Sequence, residues 1–225
     1  MRQFFYVKRL CSRQRCIRVG RLLLLCTAAA AANLLLTNFT LHSMDFPLFV
    51  DTVFTVAVTF AAGLIPGIAV AVLTWIAGCI QNAYFHPFVP VAIAEVLLVY
   101  RLKPAPPETI DFDPHDPAFM ADIKTAGKIN TAARLTLLYF ACVVVLSGLG
   151  GIIDFVFYTV GGREGYFFHT IDTLRTGILR SGTHILTADI LSRIFVNTAD
   201  RFIVIFGGYL VSLGIRKMRG GADSS

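Results

Sequence analysis

The stretch 46–82 constrains the fold most, because two apolar runs meet there at Ile65-Pro66-Gly67. Each run is about 17 to 20 residues long, enough for an α-helix to cross a hydrocarbon core of roughly 30 Å. Apolar residues occupy every face of both runs, whereas a soluble amphipathic helix or strand buries one stripe. Pro66 suits the first turn of a helix, and Gly67 allows close backbone approach. We expect a transmembrane hairpin with almost no loop.

Composition supports a polytopic membrane protein with one domain. Only 15% of the 225 residues are charged and 56% are hydrophobic, whereas soluble domains carry about 25% charged residues. The formal net charge is +6, but seven of the 20 Lys and Arg residues lie in the first 21 positions. Basic residues that flank apolar spans are topology signals. We therefore expect membrane lipid, and no nucleic acid, around this chain.

The fold class predicted is all-α, a bundle of six transmembrane helices. The first span covers about 22–41, and the hairpin supplies the next two. The remaining spans are predicted at 88–102, about 136–157 and about 198–215. An even number of spans places both termini on the same side of the membrane. Both ends of the chain are basic, so we expect both termini to be cytoplasmic. The predicted location is the inner (cytoplasmic) membrane, as a multi-pass protein.

The segments between the spans complete the predicted organisation. A basic cytoplasmic head (1–21) precedes the membrane domain (22–217), and a short tail (218–225) follows it. A proline-rich, cytoplasmic loop is expected at 103–130. Short helices in the membrane interface are expected at 161–197, a segment that can fold back so that its arginine charges are paired. A cleavable signal peptide is the alternative interpretation of the head and first apolar run.

Catalytic and metal-binding motifs are absent from the sequence. It contains no GxxxxGK[ST] phosphate loop, HExxH, GxSxG or CxxC motif, so any ATP used must be hydrolysed by another protein. The five cysteines lack metal-like spacing and are interpreted as small apolar fillers, in preference to redox or zinc residues. We expect a protein that is not an enzyme and has no catalytic residue, resident cofactor or metal.

Polar residues near the outer half of the bundle are the predicted substrate site. Ionisable groups are expensive in a membrane, about 2.5–3.5 kcal/mol for a central carboxylate, so they pair or bind something. Asp51 is expected one turn inside the first hairpin helix, facing protein or water. Asp200-Arg201 has a second interpretation, a helix-start carboxylate beside an arginine that snorkels to the interface. The candidates are Asp45, Asp51, Asn82, His86, Glu95, Asp154, Asp200 and Arg201.

Substrate chemistry stays open from the sequence. The acids suit a cation or an amine, and Arg201 and Arg175 equally suit a carboxylate.

Four segments carry a resemblance to a known family. They are the alanine-rich first span, DFPLFVDT at 45–52, GLIPG at 63–67 and VNTADRFIV at 196–204. Together they resemble the substrate-binding (S) components of energy-coupling factor transporters and related multi-span sensor domains. The resemblance implies six helices that bind a vitamin or metal ion at the outer side. It also implies that an AxxxA pair, here Ala28 and Ala32, docks on a transmembrane coupling subunit driven by two cytoplasmic ATPases.

Three functions are compatible with these observations. The leading hypothesis is the membrane substrate-binding component of an ATP-driven micronutrient uptake transporter, which captures a small solute at the outer face. The alternative is a ligand-sensing or scaffold membrane module that signals through a partner protein; the long loop 103–130 and the arginine-bearing segment 161–197 depart from the transporter family. The third is an intramembrane enzyme that uses Asp51, Glu95 or Asp154.

Overall fold

A computed structural model of the chain describes residues 2–43, 50–81, 87–104, 117–160 and 169–222. Within these ranges the protein is almost entirely helical and contains no strand. A 3-10 turn (Val50–Thr52) precedes the second helix, and a π-helical turn (Ile203–Gly207) joins the last two into one continuous rod. The helices are α1 (Arg2–Ser43), α2 (Val53–Ala62), α3 (Leu64–Gln81), α4 (Val89–Leu102), α5 (Pro117–Val160), α6 (His169–Arg180), α7 (Ile185–Phe202) and α8 (Gly208–Ala222).

Four helical stretches in the described residues are long and apolar enough to cross a membrane. They are Ile17–Thr40, Leu64–Gln81, Ala126–Phe157 and Ile185–Met218. This finding indicates a membrane protein and confirms the all-helical fold class. The predicted count of six spans is not confirmed. The apolar helix Val50–Ala62 falls short of spanning length, and α4 has 14 residues, or about 21 Å at 1.5 Å per residue.

The predicted helix–turn–helix is present, although its turn is at Gly63, three residues before Pro66. Gly63 links α2 to α3 with a φ of 97°, a conformation that L-residues with a side chain rarely adopt. Its N–H donates to the Thr59 carbonyl at 3.0 Å and closes the end of α2. Pro66 lies in the first turn of α3, as predicted. Asp51 lies in the 3-10 turn before α2, so its predicted place inside the helix is wrong.

The short helix α2 is the centre of the bundle. It contacts α1, α3, α4 and α8, and residues 55–60 are all buried. A helix that is apolar on all sides needs such surroundings, because no face remains for solvent. Two apolar clusters meet on it: Val56 belongs to one shared with α4, α5 and the π-helical turn, and Ala57 to one shared with α1, α3 and α8.

Side chains from other helices satisfy the polar backbone groups at both ends of α2. Its own N-cap residue, Thr52, makes no capping hydrogen bond. Instead, Asn33 Oδ1 of α1 accepts the Phe54 N–H at 3.0 Å, and Asn33 Nδ2 donates to Thr55 Oγ1 at 2.9 Å. At the other end, Arg216 Nη2 of α8 donates to the Phe60 carbonyl at 2.6 Å. Helix ends without internal partners need such donors and acceptors where water is scarce.

The region predicted to lie in the interface is organised differently. Residues 185–197 belong to α7, which packs along α5 and continues through the π-helical turn into α8. The predicted start of the last span, near residue 198, is therefore too late. Only α6 remains as a separate short helix in the described part of 161–197, and it packs on α7. The end of the predicted cytoplasmic loop 103–130 is also helical and continues into the span, because residues 117–130 belong to α5, one helix of 44 residues.

Candidate functional site

A row of polar residues follows one face of α7. Asp189, Arg193, Asn197 and Arg201 recur every four residues, which places them one above another on a helix. Asp189, Asn197 and Arg201 are buried, and Arg193 is half-buried. Along this polar row Asp189 pairs with α6, Arg193 and Asn197 contact α5, and Arg201 pairs with α4. The helix α7 thus presents hydrogen-bonding groups to the protein interior over several turns.

A group of polar side chains, called the inner cluster, surrounds Arg201. Arg201 lies near the midpoint of the apolar stretch Ile185–Met218. Its guanidinium forms ion pairs with Glu95 of α4 and with the adjacent Asp200. Arg201 Nε donates to Asp200 Oδ2 at 2.9 Å, and Nη1 donates to Thr52 Oγ1 at 3.1 Å. Glu95 and Asp200 are only 1% and 0% exposed. One guanidinium thus joins the 3-10 turn, α4 and α7.

Asp51 adds a third carboxylate to the inner cluster. It is half-buried in the 3-10 turn and interacts electrostatically with Arg201 and Glu95. The cluster, defined as Asp51, Glu95, Asp200, Arg201 and Thr52, therefore holds three carboxylates and one guanidinium among the described residues. When all four groups are ionised, two negative charges are uncompensated. Asp200 Oδ1 is buried and receives no hydrogen bond from any described residue.

A second group of charged residues, called the outer cluster, consists of Asp154, Arg175, Asp189 and Arg193. Among the described residues its positive and negative charges are equal in number. Arg193 forms an ion pair with Asp154 of α5 and donates from Nη2 to Oδ1 at 2.8 Å. Arg175 of α6 pairs with Asp189 of α7. Two guanidiniums thus face two carboxylates, which is the condition under which buried ionic groups are tolerated. Asp189 Oδ2 receives no hydrogen bond from a described residue.

An uncharged pair lies between the two clusters. Asn197 Nδ2 donates to Ser147 Oγ of α5 at 2.9 Å, and the Ser147 side chain is fully buried. The seam between α5 and α7 is therefore polar from the outer cluster to the neighbourhood of Arg201. It is also closely packed: a Cβ atom on Gly151 would lie 2.8 Å from the Ile190 Cα atom.

The structure brings together four of the eight residues predicted for the substrate site. Asp51, Glu95, Asp200 and Arg201 form the inner cluster, although Asp200 and Arg201 are far apart in sequence from the other two. Asp154 lies apart from them, in the outer cluster. The interpretation of Asp200-Arg201 as a helix start is wrong, because α7 begins at Ile185 and both side chains are buried. The remaining candidates, Asp45, Asn82 and His86, lie outside the described residues.

The predicted partner-binding alanines lie on α1. Ala28 is exposed and Ala32 is half-buried, whereas Ala29 and Ala30 pack in the core. The AxxxA pair is thus on the side of α1 that the rest of the bundle leaves partly uncovered.

Several buried polar residues were missed by the sequence prediction. Asp189, Arg193 and Asn197 were assigned to short interfacial helices, yet their four-residue spacing up to Arg201 is the signal of one polar helix face. Asn33 was not singled out either. It is fully buried, and an amide side chain in an alanine- and leucine-rich span is a signal of an interhelical hydrogen bond.

Comparison with protein-family models, with curated proteins and with solved structures finds no match. The function therefore has to be inferred from the chemistry of the residues themselves. In the described ranges, no group of three or more His, Cys, Asp or Glu side chains is arranged to hold a metal ion. What the inner cluster offers instead is three carboxylates, one of which has a buried oxygen that receives no hydrogen bond from a described residue.

Proposed function

We propose that this protein is the membrane substrate-binding component of an ATP-driven uptake transporter and that the inner cluster is its solute site. The observation that carries the proposal is the buried Asp200 Oδ1, an acceptor without a donor, in a cluster with excess negative charge. A buried carboxylate oxygen without a partner costs free energy, about 1–3 kcal/mol for an unsatisfied polar group and more for a charged one. A bound solute that donates a hydrogen bond recovers this cost.

Two further features support capture and transfer over catalysis. The sequence has no phosphate-binding loop, so ATP hydrolysis belongs to separate cytoplasmic subunits in this proposal. Ala28 is exposed on α1, and a small side chain there lets a neighbouring transmembrane helix approach closely. A coupling subunit that packs on Ala28 and Ala32 is the proposed partner. Differential solute affinity in two orientations of the bundle would supply the coupling.

Purification of the tagged full-length chain from its native membrane in mild detergent tests the proposal. We expect a transmembrane coupling subunit and ATPase subunits to copurify, and native mass spectrometry to detect a retained small molecule. Vesicles reconstituted with the complex should accumulate that molecule only when ATP is supplied. Ala28→Phe should abolish copurification, because a large side chain blocks close approach, while Thr27→Phe, at another exposed position of α1, should not.

Each alternative gives a different result. Solute retention without a coupling subunit, and without ATP-dependent accumulation, would contradict transport and support the ligand-sensing module. Conversion of the retained molecule into a product by the purified chain would support an intramembrane enzyme.

A further inference from the structure

We propose that the inner cluster binds the ammonium group of a small protonated amine, with Asp200 Oδ1 and Asp51 as its acceptors. The inference rests on the proposed function and adds the chemical class of the solute. It is carried by the charge imbalance of the cluster together with the unpartnered, fully buried Asp200 oxygen. The carboxylate of Asp200 interacts electrostatically with those of Asp51 and Glu95. Because like charges repel more strongly in the protein interior than in water, an added positive charge stabilises this arrangement.

A carboxylate solute fits the cluster poorly. Arg201, the guanidinium that would receive it, already binds Glu95, Asp200 and Thr52. Arg175, the other candidate in the sequence, is paired with Asp189. An anionic solute would have to displace these partners and enter a region with excess negative charge. The structure thereby removes the alternative that the sequence left open.

A metal ion also fits less well than an ammonium group. Metal ions such as Ca²⁺ or Zn²⁺ require several ligands at once, and the described residues contain no suitably arranged group of three or more His, Cys, Asp or Glu side chains. An ammonium group carries three N–H donors that point in separate directions and pairs with single oxygen atoms. In this proposal the unpartnered oxygen of Asp200 and the half-buried carboxylate of Asp51 accept two of these three N–H donors.

The outer cluster serves as an internal comparison. It also contains a buried carboxylate oxygen without a hydrogen bond, Asp189 Oδ2. However, the described residues of this cluster pair two carboxylates with two arginines, so they offer a cation less electrostatic stabilisation than the three carboxylates and one guanidinium of the inner cluster. The inner cluster is therefore the predicted amine site, and Asp189 provides the matched control residue.

Thermal unfolding and calorimetric titration of the full-length protein in detergent test this proposal. The probes are n-butylammonium and benzylammonium, with n-butanol and benzyl alcohol as uncharged counterparts, and sodium, potassium and calcium chloride as metal-ion probes. We expect saturable stabilisation by at least one amine and none by its alcohol or by the salts. Asp200→Asn should weaken amine binding about tenfold or more, which corresponds to about 1.4 kcal/mol. Asp189→Asn should leave it within about twofold.

A second variant separates loss of binding from loss of folding. Asp200 also pairs with Arg201, so Asp200→Asn can disturb the fold. Asp51→Asn leaves the Glu95–Arg201–Asp200 pairs intact and should weaken the amine by a similar factor. Equal binding by the amine and its alcohol, equal binding by a metal salt, or unchanged amine affinity in Asp51→Asn and Asp200→Asn would overturn the proposal.

Failure of the amine and failure of the proposed function are distinguishable. If native mass spectrometry shows a retained neutral or anionic molecule and no amine binds, the amine class is wrong and solute capture stands. If no small molecule is retained and no amine binds, both proposals fail.

Discussion

At the scale of single residues, the ion pair Arg193–Asp154 shows why charges are tolerated inside this bundle. The two side chains are 11% and 6% exposed, and the guanidinium contacts both carboxylate oxygens. Breaking a buried pair by removing one partner leaves an uncompensated charge, which commonly costs about 3–5 kcal/mol. We therefore expect the loss of either partner to destabilise the protein strongly, although the intact pair contributes little net stability.

A double-mutant cycle tests this expectation. Asp154→Asn and Arg193→Gln should each lower the free energy of unfolding by about 3–5 kcal/mol. The double variant should lose clearly less than the sum of the two, because neither charge is then left alone. Denaturant unfolding in detergent measures the four stabilities, with the exposed Arg180→Gln as the control. Strict additivity would show that the two side chains do not interact.

At the scale of helices, the contact between α5 and α7 depends on a small side chain at Gly151. A Cβ atom there would lie 2.6 Å from Ile190 Cγ1 and 2.8 Å from its Cα. The contact with the Ile190 Cα atom involves the backbone, so a change of the Ile190 side-chain rotamer cannot relieve it. Close approach of this kind lets α5 and α7 bring their polar side chains within hydrogen-bonding distance.

The substitution Gly151→Ala should therefore destabilise the protein by about 1–3 kcal/mol, as overpacking generally does. Gly148→Ala, one turn earlier on α5, is the matched control, because no atom lies within 4 Å of its added Cβ. The control should be neutral or stabilising by up to about 1 kcal/mol, since alanine favours helix more than glycine. Thermal unfolding of both variants gives the comparison, and equal melting temperatures would refute the close-packing interpretation.

The short helix α2 should also respond to loss of its C-terminal partner. Arg216 of α8 donates a hydrogen bond to the Phe60 carbonyl, although the two residues are 156 positions apart in the sequence. Because Arg216 is otherwise exposed, its replacement by alanine should cost only about 0.5–1.5 kcal/mol. Replacement of the adjacent, exposed Lys217 by alanine controls for the loss of a basic residue at this end of α8. Equal effects of the two substitutions on unfolding would indicate general electrostatics instead of a specific cap.

At the scale of the whole molecule, the contacts define the relative directions of α1, α2 and the α7–α8 rod. Cys26 of α1 and Ile215 of α8 belong to one apolar cluster, and Asn33 of α1 contacts Thr55 near the start of α2. Thr52 contacts Arg201, while Phe60 contacts Arg216 further along the same rod. Hence α2 runs antiparallel to α1 and parallel to the α7–α8 rod. The described starts and ends of the chain extend from the same end of the bundle.

We expect both termini to face the cytoplasm, since both are basic. Reporter fusions that distinguish the two sides of the membrane, placed at each terminus of the full-length chain, measure this orientation. Both fusions should give the cytoplasmic signal. A fusion at residue 63, in the turn between α2 and α3, serves as an internal control and should agree with them. Termini on opposite sides would contradict the helix directions described above.

Length, apolar content and proline position act locally along the chain, so the sequence was enough to predict the helical membrane class, a helix break close to Pro66 and the presence of costly ionisable groups. Tertiary structure decided which charges meet. Glu95 and Arg201 lie 106 positions apart, and their pairing depends on which faces of α4 and α7 pack together. It also decided that α2 can be short, since neighbouring helices supply the partners for both of its ends. Local periodicity carries no information about such pairings, which arise only when helices share one interior.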